Sequence, residues 1–170
     1  MQIITATEPD HISTVRQLFR EYAEWLAVDL CFQSFEAELA DLPGAYGPPR
    51  GRLLLAEADS HTAGCVALRP LSDGICEMKR LYVRPAERGQ GCGRTLARAI
   101  IAAARELQYT HMRLDTLNTP KMCPPNALYE ALGFRDIPPY YHNPLPDARY
   151  LELDLTGSLP GGPERPPHST

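Results

Sequence analysis

Glu77-Met78-Lys79-Arg80-Leu81-Tyr82-Val83-Arg84-Pro85-Ala86-Glu87-Arg88-Gly89-Gln90-Gly91-Cys92-Gly93-Arg94 is the stretch on which the reading of this chain turns. Its first part continues a strand expected over 75–83, stopped by Pro85. A loop with glycines at 89, 91 and 93 follows and runs into a helix expected over 94–107. On that helix Leu96, Ala97, Ile100, Ile101, Ala104 and Leu107 recur on one face. Glycines let backbone N–H groups approach a ligand, and a helix N-terminus adds positive potential. A phosphate or pyrophosphate is the natural occupant of such a loop. Charge agrees: residues 79–98 hold six basic side chains and one acid, so this segment is +5 in a chain of net charge −4, leaving −9 elsewhere. A small polyanionic ligand fits that pattern, and so does a solvated helix face.

Outward from this centre the chain reads as alternating strands and helices. Residues 3–6 form a short strand, and Thr7-Glu8-Pro9-Asp10 opens a helix with Thr7 as its cap and Ile12, Val15, Leu18, Phe19, Tyr22 and Leu26 at helical spacing. A second helix is expected over 34–42, ended by Pro43-Gly44. Strands follow over 52–57 and 62–71, with turns at Asp59-Ser60 and Ser72-Asp73-Gly74. Beyond the central helix come a strand over 111–117, a short helix over 126–132 with Gly133 as its cap, and closing strands over 134–137 and 149–155 around a Pro/Tyr-rich loop. This is an α/β layered domain over 1–155, with a tail over 156–170 expected to be disordered.

Composition excludes several classes. The acidic balance gives no sign of nucleic-acid binding, and no apolar run approaches the ~20 residues of a membrane span. The five cysteines are scattered and lack ligand spacing, so neither a disulfide framework nor a metal site is expected, and a cytoplasmic location fits. No signal-peptide pattern opens the sequence. A Walker A loop would need Lys-Ser/Thr after its glycines, where Arg94-Thr95 stands. A Rossmann turn is the more serious rival, with Asp115 near the ribose-binding position, but its third glycine falls on Arg94 and five residues separate Val83 from Gly89.

Arg88-x-x-Gly91-x-Gly93 after Leu81-Tyr82-Val83-x-Pro85 resembles motif A of the GNAT acetyltransferases, and Leu128-Tyr129-Glu130-Ala131-Leu132-Gly133-Phe134 resembles the later Leu-Tyr-x-x-x-Gly-Phe motif. The resemblance covers residues 2–155. It implies a mixed, mostly antiparallel central sheet of about six to seven strands flanked by about four helices and splayed between strands 4 and 5, the separation starting after Leu81. It also implies acetyl-CoA as cosubstrate. The amides of Gly89, Gln90, Gly91, Cys92 and Gly93 would hold the pyrophosphate, Arg88 and Arg94 would supply charge, and the main chain of Leu81 and Val83 would bond the pantetheine. Cys92 reads as a small residue in this loop, not a nucleophile.

Transfer of an acetyl group to an amine needs a base for the ammonium proton, donors for the oxyanion and a proton for the departing sulfur. By the resemblance Glu77 sits where several members carry the base, Tyr129 where the acid points at the sulfur, and the Tyr82 amide where the oxyanion is met. The structural alternatives are an ion pair of Glu77 with Lys79 or Arg80, and a core role for Tyr129. One departure is Met122, where many relatives carry an Asn that contacts CoA; Asn126 is the nearest substitute. The acceptor is expected to be a small-molecule amine or amino acid, walled by Tyr22, Trp25, Tyr140, Tyr141 and His142. The acids at 21, 24, 29, 36, 38 and 41 favour a cationic acceptor, or are a solvated helix face. No metal is needed, and a monomer or homodimer is expected. A protein acceptor, or a non-catalytic acyl-CoA-binding module, is the alternative reading.

Overall fold

A computed structural model describes residues 1–157, except Ser60 and the side chain of Phe32. The tail expected to be disordered lies, from residue 158 onward, outside the described residues. The elements are β1 (Gln2–Thr5), α1 (Pro9–Leu26), α2 (Phe35–Asp41), β2 (Arg52–Ala58), β3 (His61–Ser72), β4 (Ile75–Val83), α3 (Cys92–Glu106), β5 (His111–Leu117), α4 (Cys123–Ala131), β6 (Arg135–Asp136) and β7 (Ala148–Asp154). Short 3₁₀ turns interrupt the connections, one at Cys31–Gln33.

One seven-stranded sheet runs β1-β2-β3-β4-β5-β7-β6. Every neighbouring pair is antiparallel except β4–β5, which is parallel. The parallel pair needs a crossover, and α3 supplies it. Period-two alternation sends β2 residues to opposite faces: Leu53 and Leu55 pack with Val15, Leu18 and Phe19 of α1, Leu54 and Ala56 with Leu96 and Ile100 of α3. The sheet is therefore covered by α1 and α2 on one face and by α3 and α4 on the other.

Two irregularities in β4 position the site. Arg80 has φ +57° and the β3–β4 register slips between Cys65↔Tyr82 and Ala67↔Lys79, so two residues of β4 face one of β3. This bulge breaks the alternation, and Lys79 and Arg80, adjacent in sequence, both bond Gln33. The second irregularity is the short β4–β5 ladder, Ile75↔His111 through Glu77↔Arg113. The strands part after Glu77, four residues earlier than the expected separation after Leu81.

Local chemistry explains where other boundaries differ from expectation. α1 starts on Glu8 as cap with Pro9 in its first position, and no side chain caps it, so Thr7 is not the cap. α4 begins three residues before the expected 126, because Pro124 and Pro125 fall in its first turn, where a missing N–H costs nothing. α3 starts at Cys92, directly after Gly91 at φ +84°.

Candidate active site

Three neighbouring spaces lie along the parted strands and share wall residues. The first is a cleft of about 440 Å³ at the N-terminus of α3, within the usual size of a ligand pocket. Leu81, Tyr82 and Val83 of β4 form one wall, the loop residues Arg88, Gly89, Gly91, Cys92, Gly93 and Arg94 another, and Pro124 and Leu128 of α4 a third. The second is a chamber between β4 and β5 with about 40 Å³ of free room, enough for a few waters. Tyr22, Gln33, Lys79, Arg80, Asp115 and Tyr129 face it. The third is an open mouth under the β6–β7 loop, lined by Tyr140, Tyr141, His142 and Tyr150. Leu81 and Met122 line both cleft and chamber; Asn143 and Leu145 line both chamber and mouth.

The cleft suits a pyrophosphate. Gly89 and Gly91 hold positive φ, and a Cβ built on either would meet nothing within 4 Å, so both face open space. The first-turn amides of α3 have no intrahelical partner and lie at the positive end of a 15-residue helix. Arg94 is exposed beside them. Arg88 donates to the Val83 carbonyl at 2.9 Å and stacks over Trp25 at 4.5 Å. Gln90 is exposed, turns toward the Ala86 carbonyl and does not line the cleft. Cys92 is buried, and burial pushes its thiol up, leaving little thiolate to react.

Tyr129 is 6% exposed, its ring packed edge-on against Phe134 at 5.8 Å. Among the described residues its hydroxyl has no hydrogen-bond partner, and it borders the chamber. Burial pushes this phenol well above its ordinary value, so it stays protonated and acts as a donor.

Glu77 lies outside the chamber lining. It is 1% exposed and receives Arg69 Nε and Nη2, each at 2.7 Å, on one oxygen and the Tyr140 hydroxyl at 2.8 Å on the other. The ion-pair partner is thus Arg69, directly across the β3–β4 ladder, and not Lys79 or Arg80. Lys79 pairs with Asp115 at 3.1 Å, and Arg80 chelates Glu38 at 3.0 and 2.8 Å.

Asp115 is the hub of the chamber. Its Oδ2 also accepts from the Tyr141 hydroxyl at 2.6 Å, Gln33 at 3.2 Å and Asn143 at 3.3 Å. Burial alone would raise its carboxyl, but the Lys79 charge, the hydrogen bonds from Tyr141 and Lys79 and the Arg80 charge outweigh it and hold it below the usual carboxylate range. Burial, then the carboxylates Glu77 and Asp115, push the Tyr140 and Tyr141 phenols up, so both remain donors.

Residues 49–136 match the model of the acetyltransferase (GNAT) domain. The chain belongs to the GNAT acetyltransferase family. An uncharacterized N-acetyltransferase of Schizosaccharomyces pombe is 43% identical over 150 residues, 87% of this chain and 91% of that protein. Among solved structures, a GNAT acetyltransferase from Staphylococcus aureus superposes with a TM-score of 0.74 at 20% identity, covering 91% of this chain and 98% of that one. YncA from Salmonella typhimurium, solved with its cofactor acetyl-CoA, gives 0.63 at 18% identity over 91% and 93%. This chain is an N-acetyltransferase with the mixed sheet of that family.

Within this GNAT frame some expected site residues separate. Trp25, expected on the acceptor wall, lies on the cleft beside Arg88, with Lys121 donating to its carbonyl at 2.8 Å. Tyr22 faces the chamber, and Tyr140, Tyr141 and His142 the mouth. Asn126 is buried and ties α4 to β5 through Thr116 at 2.8 Å and the Leu117 carbonyl at 3.0 Å. Of the acids of residues 21–41, Glu21 is chelated by Arg84 and Glu38 by Arg80, Asp29 accepts from the Cys31 amide, and Glu24, Glu36 and Asp41 are exposed. Sequence reasoning passed over Gln33, Arg69, Asn143 and the chamber role of Asp115. Glu77, Lys79, Arg113 and Asp115 do share a signal, since they are charges at period two in strands that become neighbours.

Proposed function

We propose that the chain acetylates a small amine, taking the acetyl group directly from acetyl-CoA in a ternary complex. The observation that carries this reading is the row of cleft, chamber and mouth, in which cleft and chamber share Leu81 and Met122 as walls and chamber and mouth share Asn143 and Leu145. Donor and acceptor can enter from opposite ends and meet beside Leu81 and Tyr129. A narrow chamber roofed by a loop pinned through Tyr141 to Asp115 favours a small acceptor over a protein segment. Five free cysteines favour a cytoplasmic location, and the protein works as a monomer or homodimer without metal, nucleic acid or membrane.

Acetyl-CoA, when bound, supplies an activated thioester. The α3 amides and Arg94 hold its phosphates, Arg88 adds charge, and the main chain of Leu81 and Val83 receives the pantetheine. The Tyr82 amide donates to the acetyl oxygen. Tyr129 donates to the sulfur; its raised affinity for its own proton suits hydrogen bonding to a developing thiolate. Glu77 takes the ammonium proton at the mouth, as the acceptor enters past Tyr140 and before its amine reaches Leu81 and Tyr129: the phenol oxygen receives it while the phenol proton passes to the carboxylate, across the existing 2.8 Å contact.

The test is an acceptor screen with acetyl-CoA, reading free thiol and acetylated product together. Amine-dependent release of both is the expected result. Acetyl-CoA binding without amine-dependent thiol would instead identify a non-catalytic acyl-CoA-binding module.

A further inference from the structure

The chamber holds more cationic donors than anionic acceptors. Lys79 and Arg80 face it, with side chains 5% and 2% exposed; Asp115 is the one acid among the lining residues, and Glu38, which chelates Arg80, lies outside the lining. An ammonium has three N–H donors and a guanidinium five. Among the described residues Lys79 spends two, on Asp115 and on Gln33 at 3.3 Å. Arg80 spends three, two on Glu38 and one on Gln33 at 2.9 Å. One N–H of Lys79 and two of Arg80 are left over, one of the latter beside the Tyr22 hydroxyl. Asp115 is in the opposite state, receiving Lys79, Tyr141, Gln33 and Asn143, about as many donors as a carboxylate accommodates. Charged donors bond an anion more strongly than they bond water, and a bound carboxylate can take these in place of the few waters the chamber has room for.

We infer that the acceptor carries a carboxylate beside its amine: it is an amino acid, held by Lys79 and Arg80. This rests on the small-amine reading above and names its substrate class. A polyamine or amino sugar has no anion to offer these donors, and the chamber has no unspent acid to offer a polyamine. Asp115, held ionised, gives the entering ammonium long-range attraction without having to bond it directly. With its carboxylate on Lys79 and Arg80, the acceptor directs its amine toward Leu81 and Tyr129, and its side chain can extend to the mouth. There Tyr150 stands edge-to-face with Tyr140 at 5.4 Å and with Tyr141 at 5.7 Å, and those two rings are tilted to each other at 5.5 Å.

The test compares matched acceptors: phenylalanine, phenylalaninamide and phenethylamine, then leucine, leucinamide and isoamylamine, each with saturating acetyl-CoA. The free acid should exceed its amide and its decarboxylated amine in kcat/KM by about ten-fold or more, the size of a charge-assisted pair. The comparison is conservative, because the amide carries the less basic and more readily deprotonated amine. Lys79→Gln keeps a polar side chain beside Asp115 but removes the charge; it should shrink the acid-to-amide ratio several-fold while acetyl-CoA still raises the melting temperature. A Lys79→Gln variant that slows acid and amide equally, with the ratio unchanged, would mean a structural lysine and overturn the inference. So would equal or better turnover of the amide or decarboxylated amine in the wild type, which leaves the small-amine reading standing. If none of the six amines is acetylated while acetyl-CoA binds, the small-amine reading fails and the inference falls with it.

Discussion

Glu77→Gln separates the two things a buried carboxylate can do here, anchor a network or move a proton. The substitution preserves shape, and the amide oxygen can still accept from Tyr140 or Arg69. What is lost is the charge facing Arg69. That guanidinium side chain is 37% exposed, so water takes over part of its solvation. The cost should fall below the ~3–5 kcal/mol of a fully buried pair, at about 1–3 kcal/mol. In a chain of this length that lowers Tm by roughly 2–12 °C. Acetyl-CoA binding should be unchanged, since Glu77 does not line the cleft. The effect of a lost base is larger: kcat/KM at neutral pH should drop by roughly 10–10⁴-fold. Its signature is pH dependence, because the deficit should shrink as pH rises toward the pKa of the acceptor amine and the free amine needs no base. Tyr140→Phe should reproduce most of this deficit, and the double variant should be little worse than the poorer single one, as for two members of one relay. The measurements are steady-state rates from neutral to alkaline pH alongside thermal melts. A deficit of constant size at every pH would refute the relay and leave Glu77 as the anchor of Arg69 and Tyr140.

Two further outcomes follow from the same site. Tyr129→Phe keeps the ring against Phe134 and should melt within a few degrees of wild type, since one hydrogen bond is worth about 1 kcal/mol; turnover should fall about ten-fold or more, and less with an acyl donor whose thiol is more acidic, whereas unchanged turnover would return Tyr129 to the core. Asp115→Asn leaves Lys79 without its buried counter-charge and should cost about 3–5 kcal/mol at neutral pH, read by urea unfolding. Because the folded Asp115 carboxyl is held low, its contribution is present above the unfolded value of about 3.9 and lost as pH falls through the folded value. The gap between wild type and variant should therefore hold down to about pH 5 and close below about pH 4; a gap that persists undiminished in stronger acid would contradict the pairing.

How much of this was legible in the sequence depends on which interactions are local. The bounds of β4 and β5 follow from the residues themselves, a strand-forming run closed by Pro85 in one case and an alternating apolar run in the other. The glycine loop was legible for the same reason. The partner of Glu77 was not. Counting back from the turn after Ser72 places Pro70 opposite Glu77, but a bulge shifts the register so that Arg69 takes that place. A single extra residue exchanges the faces of a strand, and nothing in the local composition announces it. Likewise the Lys79–Asp115 pair needs the parallel order of β4 and β5, which the crossover through α3 sets and no local pattern reveals. That Trp25 lines the cleft was not legible, because helical spacing gives the face of α1 but not which end of the parted strands it meets.

Calorimetric titration of acetyl-CoA into wild type and Gly91→Glu tests most directly whether the glycine loop is the acetyl-CoA site. Gly91 holds φ +84°, where a side chain costs about 1–2 kcal/mol, and its Cβ would point into open space. The unliganded variant should therefore fold and melt only a few degrees lower. Its carboxylate would stand at the α3 N-terminus, where the account places the pyrophosphate. Saturable binding to wild type with none detectable in the folded variant is the predicted result; equal binding to both would contradict the account.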